Sequence, residues 1–262
     1  MNHNRCVIAF LTLVGWLALP LMSLAAPSAL DIVSQAEANR DGFNDMRASV
    51  SMVLRNGAGD ESNRLMRIDT IEQENDGDKV LITFLAPGDI KGTSLLNFTH
   101  KVDDDERWLY LPVLKRTKRI ASKNKSGPFM GSEFSYEDLS SPEIEKYDYV
   151  FLREEMINGH DSFVIERLPK DPHTGYTRQE VWYDKAALRI LQVRFYDRKN
   201  TLLKTQSNTG FELYKQEFWY PSKVAMINHQ TKQETELHYQ DIRVDQGLDV
   251  VNFHPTRLKR VR

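Results

Sequence analysis

The chain has 262 residues, 40% hydrophobic, 10% aromatic and 27% charged, with 13 glycines and 10 prolines. That is the composition of a folded globular protein, and it excludes disorder, collagen and coiled coil. With 35 basic and 37 acidic residues the net charge is −2, so only a strongly local patch would draw the protein to nucleic acid.

The first 25 residues read as a secretory signal peptide: Arg5 supplies a positive start, residues 7–19 are almost wholly apolar, and Ser23 and Ala25 are the small residues of a cleavage site. The apolar run is too short for a comfortable membrane span, and no later stretch reaches the roughly 18 apolar residues that a transmembrane helix needs. The single cysteine, Cys6, precedes the apolar run. Cleavage near Ala25 would therefore leave an exported chain without a lipid-modified first residue and without disulfides, a combination that fits a bacterial periplasm.

After that leader the sequence predicts one helix. Ser28 and Asp31 form a capping box, Ala29, Ile32, Val33 and Ala36 recur on one face, and Gly42 stands where a glycine would end it. From Met46 the period switches to two: Met46, Ala48, Val50, Met52 and Leu54 alternate with Arg47, Ser49, Ser51 and Arg55, the pattern of a strand with one wet face. Further strand-like runs lie at 80–86, 95–99, 107–111, 147–157, 162–168, 180–183, 190–196, 217–227 and 235–244, separated by turn signals such as Asn56-Gly57, Asp76-Gly77 and Asn158-Gly159. About 10–12 short antiparallel strands joined at hairpin length predict a mainly β protein, one large sheet curled into a barrel or half-barrel. Neither an internal repeat nor a linker divides residues 26–262, so they read as a single domain.

Residues 123–142 interrupt this rhythm. Ser126-Gly127-Pro128 breaks the sheet, and the block 129–139 is too aromatic for a solvated loop; it reads as a loop with a short helix, folded onto the core or functional.

Motifs for catalysis or metal binding are lacking: no H-E-x-x-H, no paired cysteines, no G-x-S-x-G and no P-loop. The histidines after the leader stand singly, and the run Asp103-Asp104-Asp105-Glu106 lacks the spacing of a calcium loop and reads as a solvated turn. The sequence therefore predicts no enzyme, no cofactor and no metal. Lys115, Arg116, Lys118 and Arg119 form a basic segment with two readings, a solvated strand face or a surface that meets anionic headgroups or an acidic partner. The terminal Arg257, Lys259, Arg260 and Arg262 admit the same two readings, with a frayed tail the simpler one. A sheet of this size encloses more volume than small side chains fill, so an apolar ligand cavity is a natural consequence.

Trp108-Leu109-Tyr110-Leu111-Pro112, then Lys115-Arg116 and Arg119-Ile120, then Phe129-Met130-Gly131-Ser132-Glu133-Phe134-Ser135-Tyr136-Glu137-Asp138-Leu139, resemble the outer-membrane lipoprotein-sorting-protein-like family, relatives of the LolA/LolB carriers. The resemblance implies an open, incomplete antiparallel β-barrel with its concave side covered by helices and loops, and an apolar cavity for acyl chains. It further implies a periplasmic carrier of lipid or lipoprotein cargo that works with a membrane partner, often an inner-membrane RND-type exporter, or with an outer-membrane acceptor. On this basis Trp108, Tyr110, Phe129, Met130, Phe134 and Tyr136 are the expected cavity or lid residues, with 129–139 as the lid. Lys115, Arg116, Lys118 and Arg119 are the expected headgroup or partner contacts. An accessory subunit of an exporter that carries no lipid is the alternative. A lipocalin-type binder fits less well, because Gly42-Phe43 stands where a G-x-W motif would follow the helix.

Overall fold

The computed structural model describes residues 28–260. The predicted signal peptide, with Cys6 and the cleavage position near Ala25, lies outside them, as does Arg262.

Helix α1 (Ala29–Ala38) begins at the predicted capping box: Ser28 Oγ accepts from the Asp31 N–H and the Asp31 carboxylate accepts from the Ser28 N–H, both at 3.1 Å. Its apolar stripe Ala29, Ile32, Val33 and Ala36 is buried. The helix stops earlier than Gly42 suggested, at an Asn39 cap. Gly42 instead occupies a left-handed turn (φ +98°) and donates its N–H to Glu72 at 2.8 Å, which starts the chain into the sheet.

The strands are β1 (Asp45–Arg55), β2 (Glu61–Ile71), β3 (Lys79–Ala86), β4 (Ser94–Phe98), β5 (Glu106–Leu111), β6 (Arg116–Ile120), β7 (Tyr147–Ile157), β8 (His160–Pro169), β9 (Tyr176–Asp184), β10 (Ile190–Asp197), β11 (Leu202–Tyr214), β12 (Phe218–Asn228) and β13 (Glu234–Val244). All 13 belong to one antiparallel sheet, ordered β6-β5-β4-β3-β2-β1-β13-β12-β11-β10-β9-β8-β7. The count exceeds the expected 10–12 because β2, β6 and β11 carry no continuous apolar run; their alternation is diluted by Arg, Ser, Thr and Asn on the wet face.

Every pair but one is a sequential hairpin. The exception, β1 against β13, joins the two ends of the meander, with Val50 opposite Tyr239 and Met52 opposite Leu237. The sheet is therefore interrupted only between β6 and β7, and the chain crosses that gap by residues 121–146. Among the described residues this is the expected open barrel: mainly β, not closed, with one N-terminal α-helix.

Side chains alternate between two faces. The inner face carries Val50, Met52, Met66, Ile82, Phe84, Leu95, Ile165, Val181 and Val193, packed with α1 and with Phe129 and Phe134 into the main core. The C-terminal segment seals a smaller cluster on the other face, where Phe253 and Leu258 pack on Leu81, Leu96, Trp108 and Tyr110. The Asp45 carboxylate fixes the start of that segment by accepting from the N–H groups of Gln246, Gly247 and Leu248 at 2.8, 2.8 and 3.1 Å. The expected frayed tail is thus a docked one as far as residue 260: Leu258 is fully buried, and this apolar anchor outweighs the repulsion of its basic neighbours.

Candidate functional site

The crossing segment is fixed to both halves of the sheet. Between Pro128 and Ser135 it folds into a tight loop, closed by the Phe129 N–H donating to Phe134 O at 2.7 Å and by the Ser132 N–H donating to Phe129 O at 2.9 Å, with Met130 and Gly131 left-handed at its tip. This geometry turns Phe129 and Phe134 inward, where they are 0% and 2% exposed. Phe129 meets Phe84 and Tyr136 at ring separations of 5.7 and 5.8 Å.

Polar contacts hold the rest. Arg64 of β2 donates to Met130 O at 2.5 Å, the Glu133 N–H donates to Thr235 of β13 at 3.0 Å, and Asn228 of β12 donates to the Glu133 carboxylate at 2.6 Å. Asp138, in a short 3-10 turn (Tyr136–Leu139), accepts from Lys204 of β11 at 2.5 Å, from Tyr176 of β9 at 2.7 Å and from the Ser135 N–H at 2.6 Å. Lys204 and Asp138 are both nearly solvent-free, and the pair is stable there only because further hydrogen bonds complete it. Glu137 accepts from Thr174 and from the Gly175 N–H at 2.7 and 2.9 Å. The segment is a strap built into the core rather than a surface flap.

Beside the strap lies a cavity of about 390 Å³, bounded by the end of α1, by the strap and by the inner face of the sheet. Its apolar wall includes Ile82, Phe134, Val193, Phe195, Val224 and Leu237. Charged side chains line it as well, Glu37, Arg40, Asp78, Glu143, Lys146 and Arg167 among them. Burial pushes the Asp78 carboxyl up to about 7. Burial likewise pushes Glu143 up to about 7, helped by the negative charges of Glu37 and Asp78. The Glu37 carboxylate, 3.5 Å away, raises Arg40 further above its usual range. Glu143 reaches this position because residue 77 is glycine: a Cβ there would sit 2.6 Å from Glu143 Oε1 and 2.5 Å from Thr99 Oγ1.

Of the residues expected to line a cavity or lid, the structure brings only Phe134 to the cavity wall. Phe129, Met130 and Tyr136 belong to the strap and pack into the main core. Trp108 and Tyr110 do not join them: they alternate with the inward Leu109, so they point to the other face and pack under the C-terminal segment. The aromatic richness of that motif serves tail docking.

Arg116, Lys118 and Arg119 lie on β6, an edge of the sheet, and Lys115 occupies the left-handed position just before it (φ +49°). All are exposed; Arg119 pairs with Glu106 at 2.7 Å and lies 6.0 Å from the centre of the Trp108 ring. Asp105, from the acidic turn, is not simply solvated: it accepts from Arg107 at 2.7 Å and from Lys146. Sequence reasoning missed the polar lining of the cavity, because Arg40, Asp78, Glu143 and Arg167 come from four separate segments and form no local motif. Among the described residues no group of three or more His, Cys, Asp or Glu is arranged to hold a metal ion.

A domain from Vibrio parahaemolyticus described as an outer membrane lipoprotein-sorting protein superposes with a TM-score of 0.87, at 49% identity over 88% of this chain and 98% of its own. This chain belongs to the outer-membrane lipoprotein-sorting-protein-like family. Residues 76–260 also match a family described only as an uncharacterized protein. A DUF1329 family protein from Desulfovibrio piger superposes at 0.84 with 26% identity, covering 89% of this chain and 100% of its own. A LolA superfamily protein from Nitrosomonas europaea, at 0.69 and 19% identity over 87% of this chain and 98% of its own, shares the fold. No curated protein matches the sequence.

Proposed function

We propose that the protein is an exported periplasmic carrier that takes acyl chains of lipids or lipoproteins into the inner-face cavity and passes them to or from a membrane partner. The observation that carries this reading is the cavity of about 390 Å³, with an apolar wall of Ile82, Val193, Phe195, Val224 and Leu237 beside charged lining residues. An acyl chain gains about 0.8 kcal/mol for each CH₂ taken out of water, so a soluble carrier must offer it a dry wall. The size falls within the range of small-molecule sites, roughly 300–1,000 Å³. Family membership supports lipoprotein or lipid cargo, and the predicted signal peptide supports export.

In this reading Phe134 forms part of the wall, and Phe129, Met130 and Tyr136 hold the strap that presents it. Lys115, Arg116, Lys118 and Arg119 steer the carrier toward an anionic bilayer or an acidic face of an RND-type exporter. The role requires no cofactor and no bond-making step. The test is mass spectrometry of an organic extract of the protein, purified from a periplasmic fraction without detergent, against a control protein prepared alike. Phospholipid or acylated cargo at near-stoichiometric level is the expected result, and an empty protein overturns it.

One observation favours a second reading, an exporter accessory subunit that carries no lipid: the β7 edge exposes Val150, Phe151, Leu152 and Met156. Co-purification with a membrane transporter in the absence of any lipid would decide for it.

A further inference from the structure

Among the described residues, one arginine of the cavity lining pairs with no carboxylate. Arg40, Arg107, Arg167 and Arg189 all line it. Arg40 pairs with Glu37 at 3.5 Å, Arg107 with Asp105 at 2.7 Å, and Arg189 donates from Nε to Asp184 at 2.8 Å. Arg167, on β8, pairs with no carboxylate among the described residues, although it is only 4% exposed, and its Nε is buried with no hydrogen-bond partner. Its guanidinium lies 5.6 Å from the centre of the Tyr147 ring, and Tyr149 and Tyr183 stand nearby.

The surrounding phenols do not neutralise it. Burial pushes Tyr147 up to about 12 and raises Tyr149 and Tyr183 as well, so all three are uncharged at neutral pH. A guanidinium removed from water with neither an anion nor a full set of acceptors is costly, so such a group calls for an ion, a ligand or ordered water to complete it.

The register shows what kind of ligand fits. Arg167 lies opposite Gln179 on β9, and Gln179 lies opposite Phe195 on β10. All three line the cavity, and no described residue engages the Gln179 side-chain amide. Along this row a fixed positive charge and a free amide donor pass within two strand spacings, about 10 Å, to the apolar wall of Phe195 and Val193. A fork of N–H donors matches the oxygens of a carboxylate or phosphate, and the wall beside it suits a hydrocarbon chain.

We propose that Arg167, assisted by Gln179, binds the anionic headgroup of a long-chain amphiphile, a carboxylate or phosphate monoanion, whose chain runs along Val193 and Phe195. This rests on the carrier reading above and specifies the class of its ligand.

The test is calorimetric titration of the delipidated protein with palmitate, its methyl ester, 1-palmitoyl lysophosphatidate, acetate and inorganic phosphate. We expect palmitate or the lysophosphatidate to bind at least tenfold tighter than the ester. Arg167→Gln should erase that preference while leaving the ester within twofold of its original affinity, and Arg167→Lys should restore part of it. Because the empty protein bears an uncompensated charge, Arg167→Gln and Arg167→Met should raise its melting temperature, whereas a purely structural arginine would lower it. Equal affinity for acid and ester, an equal loss for both in Arg167→Gln, or acetate or phosphate binding as tightly as the amphiphiles each overturns the headgroup site while the carrier reading stands. Failure of every long-chain probe to bind overturns the carrier reading itself.

Discussion

The two edges of the open sheet are neighbours in sequence and opposites in construction. β6 has five residues, and Arg116, Thr117, Lys118 and Arg119 are all exposed. β7 has 11 residues, and its exposed positions include Val150, Phe151, Leu152 and Met156, the last 72% exposed. A short edge crowded with like charges resists pairing with another chain, whereas a long edge with apolar side chains invites it. The open barrel is therefore asymmetric: one edge is short and charged, the other long and lined with exposed apolar side chains, and the strap between them is fixed to both halves.

The largest effect is expected where the strap joins the halves. Asp138→Ala deprives Lys204, Tyr176 and the Ser135 N–H of their shared acceptor and leaves a buried ammonium with no counter-charge and only the Glu133 carbonyl to accept from it, so urea unfolding should show a loss of about 3–5 kcal/mol. Phe129→Ala empties a site that is 0% exposed between Phe84 and Tyr136, at a similar cost of about 3–5 kcal/mol. A surface lid would give neither result; losses below about 1 kcal/mol in both variants would restore the lid interpretation.

A smaller effect is expected from the acids that line the cavity. Asp78 and Glu143 titrate near 7 in the folded protein against 3.8 and 4.5 as ordinary carboxyls. Between those limits the folded state holds protons that the unfolded chain has released, so their contribution to stability is greatest below about pH 4 and declines as the pH rises through 7. The double variant Asp78→Asn, Glu143→Gln should flatten the stability profile between about pH 5 and 8 and be more stable than the wild type at pH 8 by on the order of 1–2 kcal/mol. An unfolding free energy that varies with pH identically in the variant and the wild type across that range would show that these acids are ionised in the native state.

Much of this fold is written in local signals. The Ser28 and Asp31 box, the alternation of β1 and the turn dipeptides each act over a few residues, and each appears where the sequence puts it. β2 and β11 were harder to read because a strand with one wet face and few apolar residues resembles a polar loop. The site was less legible still. Trp108 and Phe129 look alike in sequence, but one period-2 step sends Trp108 to the outer face and a left-handed Met130-Gly131 turn sends Phe129 to the inner one. Arg167 sits among alternating residues of β8 as an apparently ordinary polar position. That no carboxylate among the described residues faces it is visible only in the assembled sheet.

The smallest effect on stability, and the most direct test of the asymmetry, concerns β6. Arg116→Thr with Lys118→Thr removes exposed charges that make no described ion pair, so unfolding should shift by no more than about 0.5 kcal/mol. If those charges guard the edge, the variant should show a concentration-dependent dimer by sedimentation velocity where the wild type shows none, and a further Leu152→Lys on β7 should leave that dimer unchanged. If they steer the carrier to an anionic surface instead, the variant stays monomeric and loses affinity for anionic vesicles, by about 1 kcal/mol per residue removed and more visibly at low salt. A variant unchanged in both assays would make the β6 charges a solvated edge without a role, and the contrast between the two edges would then rest on β7 alone.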